Sequence, residues 1–253
     1  MTDDRPVSIA ERFSAAVGDV SDADLAGPEL LPVRLSRACA RMLGVDAAGL
    51  SVLDSSGRRV PLGASSDAAE VAERLQFTAG SGPCQTAQEH REPVFAVSAD
   101  LHRRWPTFAS LLAERTPFRA VVALPLGETL AGRGALDLFF ADETAVTGLD
   151  VFEAMAVGDL VTSALGEAAV WSPWSPDGGP AWLHGPVSRR RSAVWEAIGR
   201  LSLALDTGAA AALDLLRAAA WSADRSVDDL ASDVVSGRLD PTTLHPGAAD
   251  PPR

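Results

Sequence analysis

The chain has 253 residues, 47 % of them hydrophobic, and a formal net charge of −12, so it has enough apolar chain for one large or two modest globular domains. It contains no Lys, Tyr or Asn, and all 22 basic residues are Arg. A phosphate-cradling P-loop and a pyridoxal phosphate enzyme both require a Lys and are excluded, while the acidic balance argues against a general nucleic-acid coat protein.

No apolar run reaches the ~18 residues needed to span a bilayer, and MTDDRPVSIAERF at the N-terminus lacks a signal-peptide apolar core. The expected location is the cytoplasm, without membrane contact. Cys39 and Cys84 are too few for a disulfide framework, and no CxxC occurs. His90, His102, His184 and His245 show no metal-ligand spacing. No metal and no cofactor are expected. The charge is uneven: residues 1–185 carry 14 Arg against 25 acids, net −11, whereas residues 186–240 carry 7 Arg against 8 acids, net −1. Any nucleic-acid contact must therefore come from a local patch.

Residues 1–27 read as a polar lead-in with a short helix near Ile9 to Val17. Leu31, Leu35, Ala38 and Met42 form a helical stripe. AAGLSVLD and RRVPLGAS read as strands around a turn at Ser55-Ser56-Gly57. DAAEVAERLQFT is helical, and Pro83 suits the first position of the next helix. EPVFAVS reads as a strand, WPTFASLLAER as a helix, FRAVVALPL and RGALDLFF as a strand pair, and residues 147–170 as a closing helix of about six turns. The class is α+β. Residues 171–187 hold four Pro, three Gly and three Trp, which marks a linker. Its tryptophans either pack against a domain or a second copy, or form a base-stacking platform.

Beyond the linker come three short amphipathic segments. Val194, Ala197, Ile198, Leu201 and Leu205 share one stripe; Leu213, Leu216 and Ala220 another; and Ser226 with Asp229 opens a third helix bearing Val227, Leu230, Ala231, Val234 and Val235. About fifty residues in three helices fold only marginally by themselves, so docking or dimerisation contributes. Residues 241–253 are expected to be a disordered tail.

RLQFTAGSGPC, PVFAVSADL, RWPTFASLLAE, AVVALPL and GALDLFF, in that order, resemble the GAF sensor domain over residues 28–170. RxxVWEAIG, DLLRAAA, Arg225-Ser226-Val227, DLASDVV and GRL resemble the ANTAR module over residues 188–240, although Glu196-Ala197-Ile198-Gly199 stands where that family commonly has Gln-Ala-Lys-Gly. The resemblance implies a central antiparallel sheet flanked by helices, a small-molecule or protein signal at the sensor, and a three-helix module that binds paired RNA hairpins in nascent transcripts as a homodimer to regulate antitermination. The cyclic-nucleotide signature of some GAF domains needs Asn and Lys, which this chain lacks.

On that reading the RNA contacts fall to Arg189, Arg190, Arg191, Trp195, Arg200, Trp221 and Arg225. Each has an ordinary alternative: a solvated basic turn for the triplet, packing for the tryptophans, structural pairing for Arg225. The triplet opposes the dipole of the helix it opens, which suggests a further reason for its presence. Phe77, Cys84, Trp105 and Phe108 are the corresponding ligand-pocket candidates, against plain core packing. A docking module that binds a protein partner instead of RNA remains the second reading. Enzymatic thiol chemistry is not expected from two cysteines without a supporting constellation, although Cys84 at a helix N-terminus is placed where a thiolate is stabilised.

Overall fold

In the computed structural model, which describes residues 7–20, 22–54, 57–129, 132–171, 174–175 and 178–245, the alternating apolar segments pair as one five-stranded sheet. Helices α1 (Ile9–Asp19) and α2 (Leu31–Leu43) precede β1 (Ala47–Leu53) and β2 (Arg59–Ala64); α3 (Asp67–Ala79) and α4 (Pro83–His90) lead to β3 (Val94–Ala96); α5 (Ser98–Arg104) and α6 (Pro106–Arg115) lead to β4 (Ala120–Thr129) and β5 (Gly132–Phe140). Then follow α7 (Val151–Trp171), α8 (Pro186–Ala204), α9 (Ala209–Ser222) and α10 (Val227–Val235). Strand order is β2-β1-β5-β4-β3, and every pairing is antiparallel.

The period-2 alternation of the strands sends residues to two separate cores. Leu50, Val122, Leu124, Leu136, Leu138 and Phe140 meet α1, α2 and α7 on one face. Val121, Ala123 and Phe139 meet Leu75, Leu101, Phe108 and Leu112 from α3, α5 and α6 on the other. Two glycines permit close approaches: a Cβ on Gly63 would lie 2.6 Å from the Pro32 backbone, and one on Gly49 would lie 2.5 Å from the Glu73 carboxylate.

Several boundaries differ from the sequence expectation. The lead-in is part of the domain: Ser8 and Glu11 close a capping box on α1, and Phe13 and Val20 are buried in the first core. The strand expected over 92–98 shortens to three residues, because Ser98 opens α5 with its N–H donated to the Glu143 carboxylate at 2.8 Å. That tertiary cap comes from a segment 45 residues away, which local pattern does not reveal. Residues 178–187 fold back on the sheet domain. Trp182 is fully buried in the first core, and the Trp174 indole N–H donates to Ala169 O at 3.3 Å while its ring stays 63 % exposed. Residues 241–245, expected to be tail, form a turn whose Leu244 packs on the helical module. Ser55 and Ser56 of the expected turn and residues 246–253 lie outside the described residues.

The three C-terminal helices share a core of Val194, Ile198, Leu201, Leu216, Leu230 and Val234, and Phe77 from α3 is inserted into it. Helix α8 runs beside edge strand β2. An edge strand leaves backbone groups unpaired, and here side chains of α8 meet them: Ser188 Oγ donates to Pro61 O at 2.8 Å, and Arg191 Nη1 to Arg59 O at 3.4 Å. Across the same junction Val227 N donates to Thr78 Oγ1 at 3.2 Å and Arg115 pairs with Asp224.

Arg191 is the centre of the junction. It is 1 % exposed, its Nε and Nη2 donate to the two Asp228 oxygens at 2.9 and 3.2 Å, and its guanidinium lies 3.6 Å from the Phe77 ring centroid. Removing one partner of such a pair strands the other charge. Arg191→Ala is therefore expected to lower stability by about 3–5 kcal/mol in urea unfolding, whereas replacing both partners by apolar residues (Arg191→Met with Asp228→Leu) recovers most of that loss. Equal losses in the single and double variants would refute this account.

Candidate functional site

The second face of the sheet divides into two unlike halves. At the β4–β3 end it is apolar: Phe108 is fully buried and Trp105 is 6 % exposed, both in the core with Leu101, Leu112 and Phe139. Helix α5 ends at Trp105, and Pro106 opens α6 directly behind it, which fixes both rings against the sheet. At the β2–β1 end the same face is polar and equally buried. Ser51 from β1, Arg59 from β2, Glu73 and Gln76 from α3, Cys84 from α4 and Asp137 from β5 meet there, none more than 8 % exposed.

Their bonds form one network. Arg59 Nη2 donates to Glu73 Oε2 at 2.5 Å and lies 3.6 Å from Asp137 Oδ2. Gln76 donates to Asp137 Oδ2 at 3.0 Å and accepts the Cys84 backbone N–H at 2.8 Å, while Cys84 Sγ lies 3.2 Å from Ser51 Oγ. Gly82 lets Gln76 reach this position, since a Cβ there would fall 2.3 Å from the Gln76 side chain. One buried atom of the network, Arg59 Nε, has no partner among the described residues, while the Glu73 and Asp137 carboxyls hydrogen-bond to each other when one carries a proton.

Two carboxylates facing one guanidinium in a dry site cannot both ionise cheaply. Burial first, and then the charge of Glu73, push the Asp137 carboxyl well above its usual range, with Arg59 opposing. Burial likewise pushes the Cys84 thiol well up. The thiolate expected at this helix N-terminus is thus not favoured: desolvation outweighs both Arg59 and the helix end. Cys39, in the other core, is pushed up to about 12 by burial.

The four ligand-pocket candidates are not brought together. Trp105 and Phe108 pack in the apolar half, Cys84 lies in the polar network, and Phe77 points into the helical module between Arg191 and Arg217, edge-on to Trp195 at 6.0 Å. A small cavity of about 90 Å³ separates the network from the module, lined by Arg59, Gln76, Phe77, Trp195 and Arg217 among others.

The RNA-contact candidates are also split, because each helical residue turns about 100° from the last. Arg189 is exposed and has no acid partner among the described residues. Arg190 pairs across the junction with Glu70, which also holds Arg74 at 2.9 Å. Arg191 is a correction to the expected solvent-facing triplet. It extends the buried stripe of Val194, Ile198 and Leu201 by one turn, and its charge is spent on Asp228. Trp195 is half-buried, with Arg58 5.7 Å from its ring centroid. On the outer side Arg200 pairs with Glu196 at 2.7 Å and donates to Val234 O, and Arg225 shares Asp233 with Arg238, each at 2.6 Å. Trp221 is 55 % exposed. Sequence reasoning missed Arg59, Glu73, Gln76, Asp137 and Asp228. The available signal was a charged or amide residue at an inward position of an otherwise apolar strand or helix, as Asp137 is between Leu136 and Leu138.

A carboxyl held protonated in the fold binds a proton that the unfolded chain releases. Stability therefore falls as pH rises from the unfolded carboxylate pKa, about 4, toward the raised folded value, and levels off above it. Asp137→Asn keeps the acceptor for Gln76 and removes the titration. Its melting temperature, followed against pH beside the wild type, is expected to decline less over that window; parallel curves would show that Asp137 is ionised throughout.

No protein-family profile matches the chain, and no curated protein does. Among solved structures, the chain is similar to the GAF domain of a phosphoenolpyruvate-protein phosphotransferase from Coxiella burnetii, at 14 % identity and a TM-score of 0.41, over 64 % of this chain and 98 % of that one. It is similar in the same degree to the GAF domain of the Acinetobacter phosphoenolpyruvate-protein phosphotransferase, at 10 % identity and a TM-score of 0.41, over 64 % and 95 %.

Proposed function

We propose that the chain is a signal-responsive regulator in which a GAF-type sheet domain holds an ANTAR-type three-helix module that binds structured RNA. The observation that carries this reading is the junction itself. The helical module has its own core, yet it is fastened to the polar half of the sheet through Phe77, Arg191 and Asp228. A change in the sheet domain thus has a direct route to the module's helices. Arg189, Arg200 and Arg225 remain at the surface with Trp221, the side-chain types that meet phosphates and unpaired loop bases.

The second reading, a module that docks a protein partner, is favoured by a specific observation. Arg200, Arg225 and Arg238 already have acidic partners, and Leu203 is 88 % exposed on α8. A paired arginine has to exchange its carboxylate for a phosphate, which weakens the electrostatic gain.

Binding of the full chain to a dual-hairpin RNA, with a loop-scrambled control and a salt series, separates the two. The RNA reading expects loop-dependent binding in the wild type. The Arg200→Ala/Arg225→Ala variant should bind about tenfold or more weakly, with a log–log salt slope shallower by about 0.7–0.9 for each phosphate no longer neutralised. Absence of RNA binding at any salt concentration would set the RNA reading aside in favour of a protein partner.

A further inference from the structure

We propose that the cleft between β2, the 178–184 segment and the first turns of α8 is a binding site for a small phosphate ester. The cleft measures about 250 Å³ and is lined by side chains from all three segments. That volume is several times that of one water, and it lies just under the ~300 Å³ at which drug-sized sites begin. It suits a phosphate carrying a body of about sugar size.

Charge selects the anion. Arg58, Arg189 and Arg191 line the cleft, and among the described residues no carboxylate does. The acids that balance two of them, Asp54 at Arg58 and Asp228 at Arg191, lie outside it. Arg189 has no acid partner among the described residues, so its charge is unspent. Ser188, Arg189 and Ser192 bring the first turns of α8 to the cleft wall.

Guanidinium groups from two separate segments, Arg58 before β2 and Arg189 on α8, offer several N–H donors to one compact acceptor. A phosphate monoester, with three free oxygens and nearly two charges, draws on that set more than a carboxylate with one charge. Val60, Leu183 and the Trp195 ring supply an apolar wall for the organic body, and the contact of His184 Nε2 with Gly178 O at 2.5 Å holds the roof in place.

The site bridges the sheet domain, the connecting segment and the first helix of the module. An occupant would therefore strengthen the docked arrangement by mass action. The inference does not depend on whether the module binds RNA.

Ribose 5-phosphate and inorganic phosphate are the probes, with ribose as the control, titrated calorimetrically into the full chain at low salt. Saturable ribose 5-phosphate binding in about the millimolar range or tighter, absent for ribose, is expected. Arg58→Ala/Arg189→Ala should weaken it about tenfold. Arg189→Ala alone, at an exposed position, should weaken it with an unchanged circular dichroism spectrum; this single variant serves should the double one fail to fold. No saturation by either phosphate probe overturns the proposal, as does undiminished binding in the folded double variant. Loss of hairpin binding in that variant, with ribose 5-phosphate never saturating the wild type, would also overturn it by assigning the two arginines to an RNA backbone.

Discussion

The fold of this chain depends on one buried charge. Arg191 enters the interior from α8, satisfies both oxygens of Asp228 on α10, and covers the face of Phe77 from α3. Burial pulls its guanidinium below its ordinary value while Asp228 opposes the shift. A charge in such a place is tolerated only with near-complete hydrogen bonding, so α8, α10, α3 and the carbonyl edge of β2 must hold their positions together. The same contact turns three short helices, marginal by themselves, into part of a larger body.

Beside that pair lies a second ionic group of different character. Around Arg191 one cation meets one carboxylate; around Arg59 one cation meets two, Glu73 and Asp137. The first pair is balanced and fastens. The second holds an excess acid and titrates. Both groups sit within reach of the junction, since Arg191 touches the backbone of Arg59 itself. The polar half of the sheet face is therefore where a change of charge or occupancy meets the attachment of the helical module, while the apolar half, with Trp105 and Phe108, supplies rigidity.

The linker illustrates how composition and tertiary structure part company. Four prolines and three glycines between 171 and 187 disfavour a long regular element, and the described residues between α7 and α8 hold a bridge between Trp174 and Pro180 and one short turn. Composition does not say where a linker goes. Trp182 takes it into the first core, and Gly185 lets it pass against Glu29 O, where a Cβ would stand at 2.8 Å.

By itself the sequence determined the order of the strands and of every helix but α5, because alternation and helical spacing are local signals, whereas the start of α5 is set by the distant Glu143. The cap at Ser226 and the proline start at Pro83 were legible for the same reason. The α+β class and the separate helical module followed from that order. Tertiary structure alone decided the partners of charged residues. An Arg at position 191 has the same local pattern whether it faces water or Asp228, 37 positions away, and Asp137 reads as an ordinary break in an apolar strand until Gln76 and Glu73 arrive from α3. Burial of a charge is a property of what folds over it, which no window along the chain contains.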